Sequence, residues 1–206
     1  MKNLDLGYAT IFSVFGQIAI NLIFMGILIG VLKGRDFYQC HAFDNSNVDL
    51  SHWWELADNF ESSATSLLMI FQIFHAAAVF NIGYRYRKGF IFNWRFVSIY
   101  ILLLICIIYI TISDPNPTGC LFRINCGTKE ALESIGFGDL KFTPPSEVYS
   151  AHGNNVLPIE FRGVILVLAL VNLLVLIAWE VLVIQNIARY KWFIERFGQR
   201  RNEYRF

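Results

Sequence analysis

Four long apolar runs, separated by polar segments, dominate the hydrophobic pattern of this 206-residue chain. They cover roughly residues 8–32, 62–82, 96–112 and 162–187. At ~1.5 Å per helical residue, runs of this length match the ~30 Å hydrocarbon core of a bilayer. The pattern therefore predicts an all-α, polytopic membrane protein with four transmembrane helices.

Composition agrees with a membrane environment. Charged residues make up 16% of the chain, against about 25% in a typical soluble domain. The shortage of charge is concentrated in the four apolar runs, which a soluble core does not need. The net charge of +1 gives no overall electrostatic basis for binding nucleic acid. The partners to expect are the lipid bilayer and other membrane protein chains.

The polar segments define the parts of the chain. Residues 1–112 hold the first three predicted helices with an acidic loop at 33–60, and residues 113–161 form a second loop. Residues 162–187 form the fourth helix, and residues 188–206 form a basic-aromatic tail suited to the surface of an anionic leaflet. A short helix is predicted from Lys129 to Ser134.

The start of the second helix carries its own signal. Asp58 lies three residues before Glu61, which is the spacing of a capping box. Trp53 and Trp54 precede it, as expected of aromatic residues at a membrane interface.

Basic residues in short connections mark the cytoplasmic side of a membrane. The connection between the second and third helices contains four basic residues and no acid: Arg85, Arg87, Lys88 and Arg95. The tail is also mainly basic, whereas the loops at 33–60 and 113–161 contain more acid than base. We therefore predict that both termini are cytoplasmic and that the two loops are non-cytoplasmic, either lumenal or extracellular.

Six polar residues inside the predicted helices are candidate intramembrane contacts: Gln17, Asn21, Gln72, His75, Asn172 and Glu180. Gln17 and Asn21 lie four residues apart, on one helical face. They are expected to form interhelical hydrogen bonds, worth ~0.6 kcal/mol each on average. Lining of a substrate path is the alternative.

The two ionisable members of this set have further alternatives, because ionisable groups inside a membrane often serve a function. His75 either donates to a neighbouring carbonyl or takes a proton or metal role, and no second ligand one turn away supports a metal site. Glu180 either snorkels or pairs near the interface, with Arg85, Arg87 or Arg95, or it is an ion- or proton-coupling site.

Three of the four cysteines, Cys40, Cys120 and Cys126, fall in the predicted non-cytoplasmic loops, where disulfides persist. A bridge between Cys120 and Cys126 is one expectation, and a bridge from Cys40 to either of them is the alternative. Cys106 lies inside a predicted helix and is expected to stay reduced.

The sequence lacks the usual catalytic motifs. It contains no glycine-rich phosphate loop, zinc-protease motif, paired-cysteine motif or aspartyl-phosphorylation motif. It also has no soluble segment large enough to bind a nucleotide. We therefore expect no enzymatic activity from the chain on its own, no cofactor and no metal.

Three segments carry a resemblance to a known family: Ile11–Ile20, Asp58 to Asn93, and Leu157 to Arg162 with the later Asn172 and Trp179-Glu180. Together they resemble the C-terminal membrane region of the type-V P-type ATPases. Ile11–Ile20 resembles the start of the seventh span of that family. The segment from Asp58 to Asn93 resembles the eighth span, with Phe71-Gln72 at its middle. Leu157-Pro-Ile-Glu-Phe-Arg162, followed by Asn172 and Trp179-Glu180, resembles the tenth span.

The resemblance covers nearly the whole chain, but only the last four of the family's spans. It implies a non-catalytic support bundle that braces the moving helices of an ATP-driven transporter of polyamines, cations or transmembrane helices. It also favours an endomembrane location, in the endoplasmic reticulum or the endolysosomal system. The phosphorylated aspartate and the nucleotide domain of the family are absent from this sequence, so the chain is expected to be a separately encoded piece, a fragment or a reused relic.

Two other functions compete with this one. A four-span accessory subunit of another membrane complex would use the same helices as packing surface. A scaffold similar to tetraspanins or claudins ranks last, because the cysteine signatures of those groups are missing.

Overall fold

The computed structural model describes residues 4–38, 59–82, 92–139 and 155–186. Within these ranges the chain is helical and contains no strand. Four of its helices are long and apolar enough to cross a membrane. The prediction of an all-α protein with four candidate membrane spans is therefore confirmed.

The helix bounds lie close to the predicted ones, and the short helix has the predicted ends. The long helices are α1 (Leu4–Lys33), α2 (Phe60–Phe80), α3 (Trp94–Ile112) and α6 (Ile159–Ala178), which continues into a π-helical turn at Trp179–Ile184. Two short helices, α4 (Pro117–Leu121) and α5 (Lys129–Ser134), lie between α3 and α6.

The start of α2 differs by one residue from the prediction. Its N-cap is Asn59, whose side-chain oxygen accepts a hydrogen bond of 2.7 Å from the backbone N–H of Ser62. The predicted capping box pairs Glu61 with Asp58, which lies outside the described residues. The Glu61 carboxylate accepts a 2.7 Å bond from the Tyr38 hydroxyl and lies 3.6 Å from the Lys33 ammonium. These contacts tie the end of α1 to the start of α2.

The four long helices form an antiparallel bundle with α2 and α6 at its centre. These two helices pack on each other, and both contact α1 and α3. Half of the apolar window of α2 is buried, against 11% of that of α3. Most of the outer surface of α3 is therefore left for lipid or for another protein.

The bundle has two ends. We call the end where α1 and α3 finish the loop end, and the end where α2 and α6 finish the turn end.

The two ends of the bundle differ in chemistry. The apolar core lies toward the loop end, where Leu28 and Leu32 of α1 meet Leu68 of α2 and Ile165 of α6. Phe37 covers this core with its ring edge-on to those of Phe60 and Phe161, at centroid distances of 5.4 and 5.5 Å. The buried polar side chains of the spans lie mainly in the other half, toward the turn end.

A disulfide-closed segment covers the loop end. Cys120 and Cys126 are joined by a disulfide, which is the first of the two pairings left open by the sequence. Cys40 lies outside the described residues. Arg123 and Asn125 take left-handed backbone angles, with φ of 56° and 51°. This conformation is uncommon for residues other than glycine and lets the chain turn tightly inside the loop.

Side-chain bonds attach this loop to the start of α6. The Asn125 amide oxygen accepts from the Leu157 N–H at 3.0 Å, and the Asn155 amide donates to the Arg123 carbonyl at 3.3 Å. Asn125, Asn155 and Leu157 are all buried. The loop is thus part of the folded unit and fixes where α6 enters the bundle.

Candidate functional site: an intramembrane polar layer

Three polar side chains on one face of α1 begin the polar layer. Ser13, Gln17 and Asn21 follow at intervals of four residues, so they lie above one another on the helix. Ser13 and Gln17 are each only 2% exposed. The face points toward α2 and α6, because its partners come from those two helices.

Asn21 joins three helices at the middle of the bundle. Its backbone carbonyl accepts from the Gln72 amide of α2, and its side-chain oxygen accepts from the Asn172 amide of α6, each at 3.0 Å. Hydrogen bonds of this kind are worth ~0.6 kcal/mol each on average in a membrane protein. The larger consequence concerns helix register. Because both bonds go to one residue of α1, they fix the axial positions of α2 and α6 relative to α1.

A second junction, nearer the turn end, joins α1 to α6. The Ser13 hydroxyl donates to a Glu180 carboxylate oxygen at 2.7 Å, and the Gln17 amide donates to the same hydroxyl oxygen at 3.2 Å. Glu180 is 2% exposed. The carboxylate therefore lies inside the bundle, bound by a neighbouring helix. Arg85 and Arg87, two of its predicted ion-pair partners, lie outside the described residues.

The π-helical turn accounts for the position of Glu180. A π-turn holds one more residue per hydrogen-bonded ring than an α-turn, so it changes which side chains face inward. Here it begins at Trp179, directly before Glu180, and both Glu180 and Ile184 are buried. Such turns occur frequently at functional sites.

Trp179 packs over a glycine on α1. A Cβ atom added to Gly16 would lie 2.3–2.4 Å from three atoms of the Trp179 indole. The ring also stacks on Phe12, with a centroid distance of 6.5 Å. The missing side chain of Gly16 is therefore what lets the π-turn approach α1 closely enough for Glu180 to meet Ser13.

Some buried polar atoms in this layer have no hydrogen-bond partner among the described residues: Gln17 Oε1, His75 Nδ1, Asn172 Oδ1 and Trp179 Nε1. The two amides have their N–H groups committed to Ser13 and Asn21, so their oxygens are the free atoms. His75 is buried on α2 beside Asn172, with its ring 6.0 Å from that of Phe71. Two of the four atoms are therefore amide oxygens, which accept, and one is the Trp179 indole N–H, which donates.

The structure brings all six predicted intramembrane residues to the interface of α1, α2 and α6. Gln17, Asn21, Gln72, Asn172 and Glu180 make the contacts described above, and His75 lies among them. Among the described residues, no group of three histidine, cysteine, aspartate or glutamate side chains could hold a metal ion. Interhelical bonding, the first interpretation of Gln17 and Asn21, agrees with these contacts.

Sequence reasoning missed two residues of the layer, Ser13 and Gly16. The four-residue spacing of Ser13, Gln17 and Asn21 is a signal that would have added Ser13 to the set. Gly16 gave no such signal, because its importance comes from the indole that packs on it from another helix.

A second buried polar residue, Arg162, acts as a clasp at the loop end. It is 2% exposed. Its guanidinium donates to the carbonyls of Leu157, Ile112 and Ser113 at 2.6, 2.9 and 2.8 Å. Arg162 thus binds the last carbonyls of α3 to the start of α6. The sequence had marked it only as the beginning of a span.

The charge of Arg162 has one described carboxylate nearby. Asp114 Oδ1 lies 3.7 Å from the guanidinium, but its side chain is 75% exposed. An ion pair with so exposed a partner is worth at most about 1 kcal/mol. The carbonyl bonds therefore account for most of what the clasp contributes.

The predicted topology residues lie mostly outside the described part of the chain. Arg85, Arg87 and Lys88 are in this group. Arg95 is described, and it is exposed in the first turn of α3 with its guanidinium 5.8 Å from the centre of the Trp94 ring. Cys106 is a free cysteine on the exposed side of α3.

Comparisons of this chain with known proteins found no match. No protein-family model matches the chain. No curated protein and no solved structure matches it either. The resemblance to type-V P-type ATPases therefore remains an expectation from the sequence.

Proposed function

We propose that this chain is a non-catalytic membrane support bundle that braces the moving helices of an ATP-driven transporter similar to the type-V P-type ATPases. Its polar side chains inside the membrane bind helix to helix, and its outer faces contact the helices that move. In this proposal the bundle lies in an endomembrane. Its turn end faces the cytoplasm, and its disulfide-closed loop end faces the lumen.

The observation that carries the proposal is that the intramembrane polar groups bond one helix to another. Asn21 is bonded to both α2 and α6, and Ser13 is bonded to Glu180 of the π-turn. These bonds hold three helices in fixed register. A rigid frame of this kind is what a support element needs and what a moving transport helix lacks.

A second observation concerns the segments that carry the resemblance. The residues that carry the resemblance are the residues that make the frame: Gly16 and Trp179 pack on each other, and Gln17, Gln72, Asn172 and Glu180 belong to the polar layer. Leu157–Arg162 forms the clasp at the loop end. If another protein is built on the same bundle, its helix contacts would restrict the residue types at the same positions.

Cross-linking from the outer faces tests the proposal. A photoreactive phenylalanine analogue at Leu102 of α3 or at Leu22 of α1 is expected to form adducts with membrane helices outside residues 1–206. These two side chains are 60% and 67% exposed. The control position is Ile107, which is 5% exposed and faces α2 and α6. It should give adducts only within the bundle.

The identity of the cross-linked peptides decides between the candidates. Adducts in native membranes should map to helices of a P-type ATPase, either continuous with this chain or bound to it. Adducts only with lipid at both outer positions would overturn the support-bundle proposal. Adducts with an unrelated membrane complex would instead establish the alternative, a four-span accessory subunit.

A further inference from the structure

We propose that Leu121 and Phe122, on the outer side of the disulfide-closed loop, insert into the lipid interface of the leaflet at the loop end. Their partner is the ester and upper acyl-chain region of the phospholipids around the bundle. The contact is independent of the proposed support function, since it requires only the bilayer in which the four helices lie.

The two side chains are large, apolar and exposed. Leu121 is 76% exposed and Phe122 is 55% exposed, although both lie in a folded loop. The other side of the loop is buried: Cys120, Ile124 and Cys126 are each at most 4% exposed, and Ile124 belongs to the apolar core. The disulfide between Cys120 and Cys126 closes the loop. Leu121 and Phe122 are therefore held on the side turned away from the core.

The length of α3 sets the height of this loop relative to the bilayer. α3 contains 19 residues, and at ~1.5 Å per residue it is about 28 Å long, close to the ~30 Å of the hydrocarbon core. Trp94, its first residue, is 69% exposed and is suited to the interface at the turn end. The last residues of α3 then lie at the opposite edge of the hydrocarbon core, and a tilt of the helix would bring them deeper.

Hydrogen bonds attach the loop directly to that end of α3. The Asn116 side chain accepts from the Gly119 N–H at 2.9 Å, and its amide nitrogen donates to the hydroxyl oxygen of Ser113, the C-cap of α3, at 2.7 Å. α4 has 5 residues, so at ~1.5 Å per residue it spans about 7 Å, comparable to the roughly 5–7 Å interfacial layer of one leaflet. Even if α4 pointed straight out of the membrane, Leu121 and Phe122 would lie about level with the headgroups.

The loop can enter this layer without burying a charge or many free backbone groups. Residues 115–122 contain no charged side chain. The Gly119 carbonyl accepts from the N–H groups of Phe122 and Ile124 at 3.1 and 2.9 Å, and the Asn116 carbonyl accepts from that of Cys120 at 3.0 Å. Backbone groups that are satisfied within the loop lose little when water is removed, so insertion gains the burial of two apolar side chains at low cost.

Quenching by brominated lipids tests the insertion on the full chain, reconstituted with any chains that co-purify in phosphatidylcholine vesicles. Phe122→Trp is made in a background with Trp53, Trp54, Trp94 and Trp192 replaced by Phe. Trp179 is kept because it packs on Gly16, and its emission, measured in the background alone, is subtracted. The bromine atoms lie either near the ester end of the acyl chains or near their methyl end. We expect the emission added at position 122 to be quenched, most strongly by the ester-end bromine.

Two substitutions assign the quenching to the exposed pair. Glu130→Trp, in the same background, places the indole on the short charged helix α5. It should be quenched little by either lipid and should emit at longer wavelength. Leu121→Glu, added to Phe122→Trp, should abolish most of the quenching, because a carboxylate favours water over the lipid interface. Leu121→Met should retain it.

Three results would overturn the proposal: emission at position 122 that neither brominated lipid quenches, quenching equal to that at position 130, or quenching that survives in Leu121→Glu. A photoreactive phenylalanine analogue at position 122 in native membranes checks the identity of the partner. Adducts with lipid are expected. Adducts only with another protein would show that a partner chain covers this surface, and would overturn the proposal as well.

Discussion

Replacing Arg162 with Met is expected to lower the free energy of unfolding of the bundle by about 3–5 kcal/mol, because each of three carbonyls that loses its donor costs about 1–3 kcal/mol. The substitution keeps much of the side-chain volume but leaves the carbonyls of Leu157, Ile112 and Ser113 without their donor. The loss can be measured by reversible unfolding in mixed detergent micelles of increasing denaturing-detergent fraction.

Two controls separate the clasp from charge in general. Arg95→Met removes an exposed basic residue of α3 and should change stability by no more than about 0.5 kcal/mol. Asp114→Asn removes the exposed carboxylate near Arg162 and should cost less than about 1 kcal/mol. If Arg162→Met unfolds at the same detergent fraction as the wild type, the clasp does not hold α3 to α6.

The second large effect is expected at Gly16. The Cβ atom of Gly16→Ala would lie 2.3–2.4 Å from the Trp179 indole, which is a rigid ring and not the end of a flexible chain. Either the ring or the helix must move, and overpacking of this kind typically costs about 1–3 kcal/mol. The movement would also separate Glu180 from Ser13, so the loss should lie toward the upper end of that range.

Gly26→Ala is the matched control, because a Cβ atom at this position of the same helix meets nothing within 4 Å. It should be as stable as the wild type, or slightly more so, since alanine favours the helix over glycine. Equal stability of the two alanine variants would show that the contact between Gly16 and Trp179 is not tight in solution.

The sequence predicted the helices well because each is set by local information. In lipid, every backbone polar group must be satisfied internally, so a long apolar run becomes a helix whatever lies around it. Lys129–Ser134 was predicted with the observed ends. In the structure Thr128 caps this helix, and its hydroxyl oxygen accepts from the Ala131 N–H at 3.3 Å. At α2 the neighbouring Asp58 and Asn59 both suit an N-cap, and the prediction chose the wrong one.

The contacts between helices could not be predicted in the same way. Hydrophobic spans carry little information about which face meets which neighbour, so Gln72 could be recognised as polar but not assigned to Asn21. Arg162 was predicted only as the first residue of the fourth helix. Its burial depends on the carbonyls of α3, which lie about fifty residues earlier in the chain.

The polar layer and the clasp have complementary effects on the bundle. The clasp fixes α3 and α6 at the loop end, beside the apolar core. The polar layer fixes α1, α2 and α6 in the other half. Held at both ends, the four helices would move as one body, which is the mechanical property required of a frame against which other helices shift.

The most direct test of the support-bundle function is phosphorylation of the assembly that contains this chain. The assembly is purified from native membranes in mild detergent and incubated with ATP labelled at the γ-phosphate. We expect an acid-stable, hydroxylamine-labile phosphate on an aspartate of a polypeptide that contains this chain or remains bound to it. An intact assembly that contains this chain and forms no such aspartyl phosphate would contradict the proposed function.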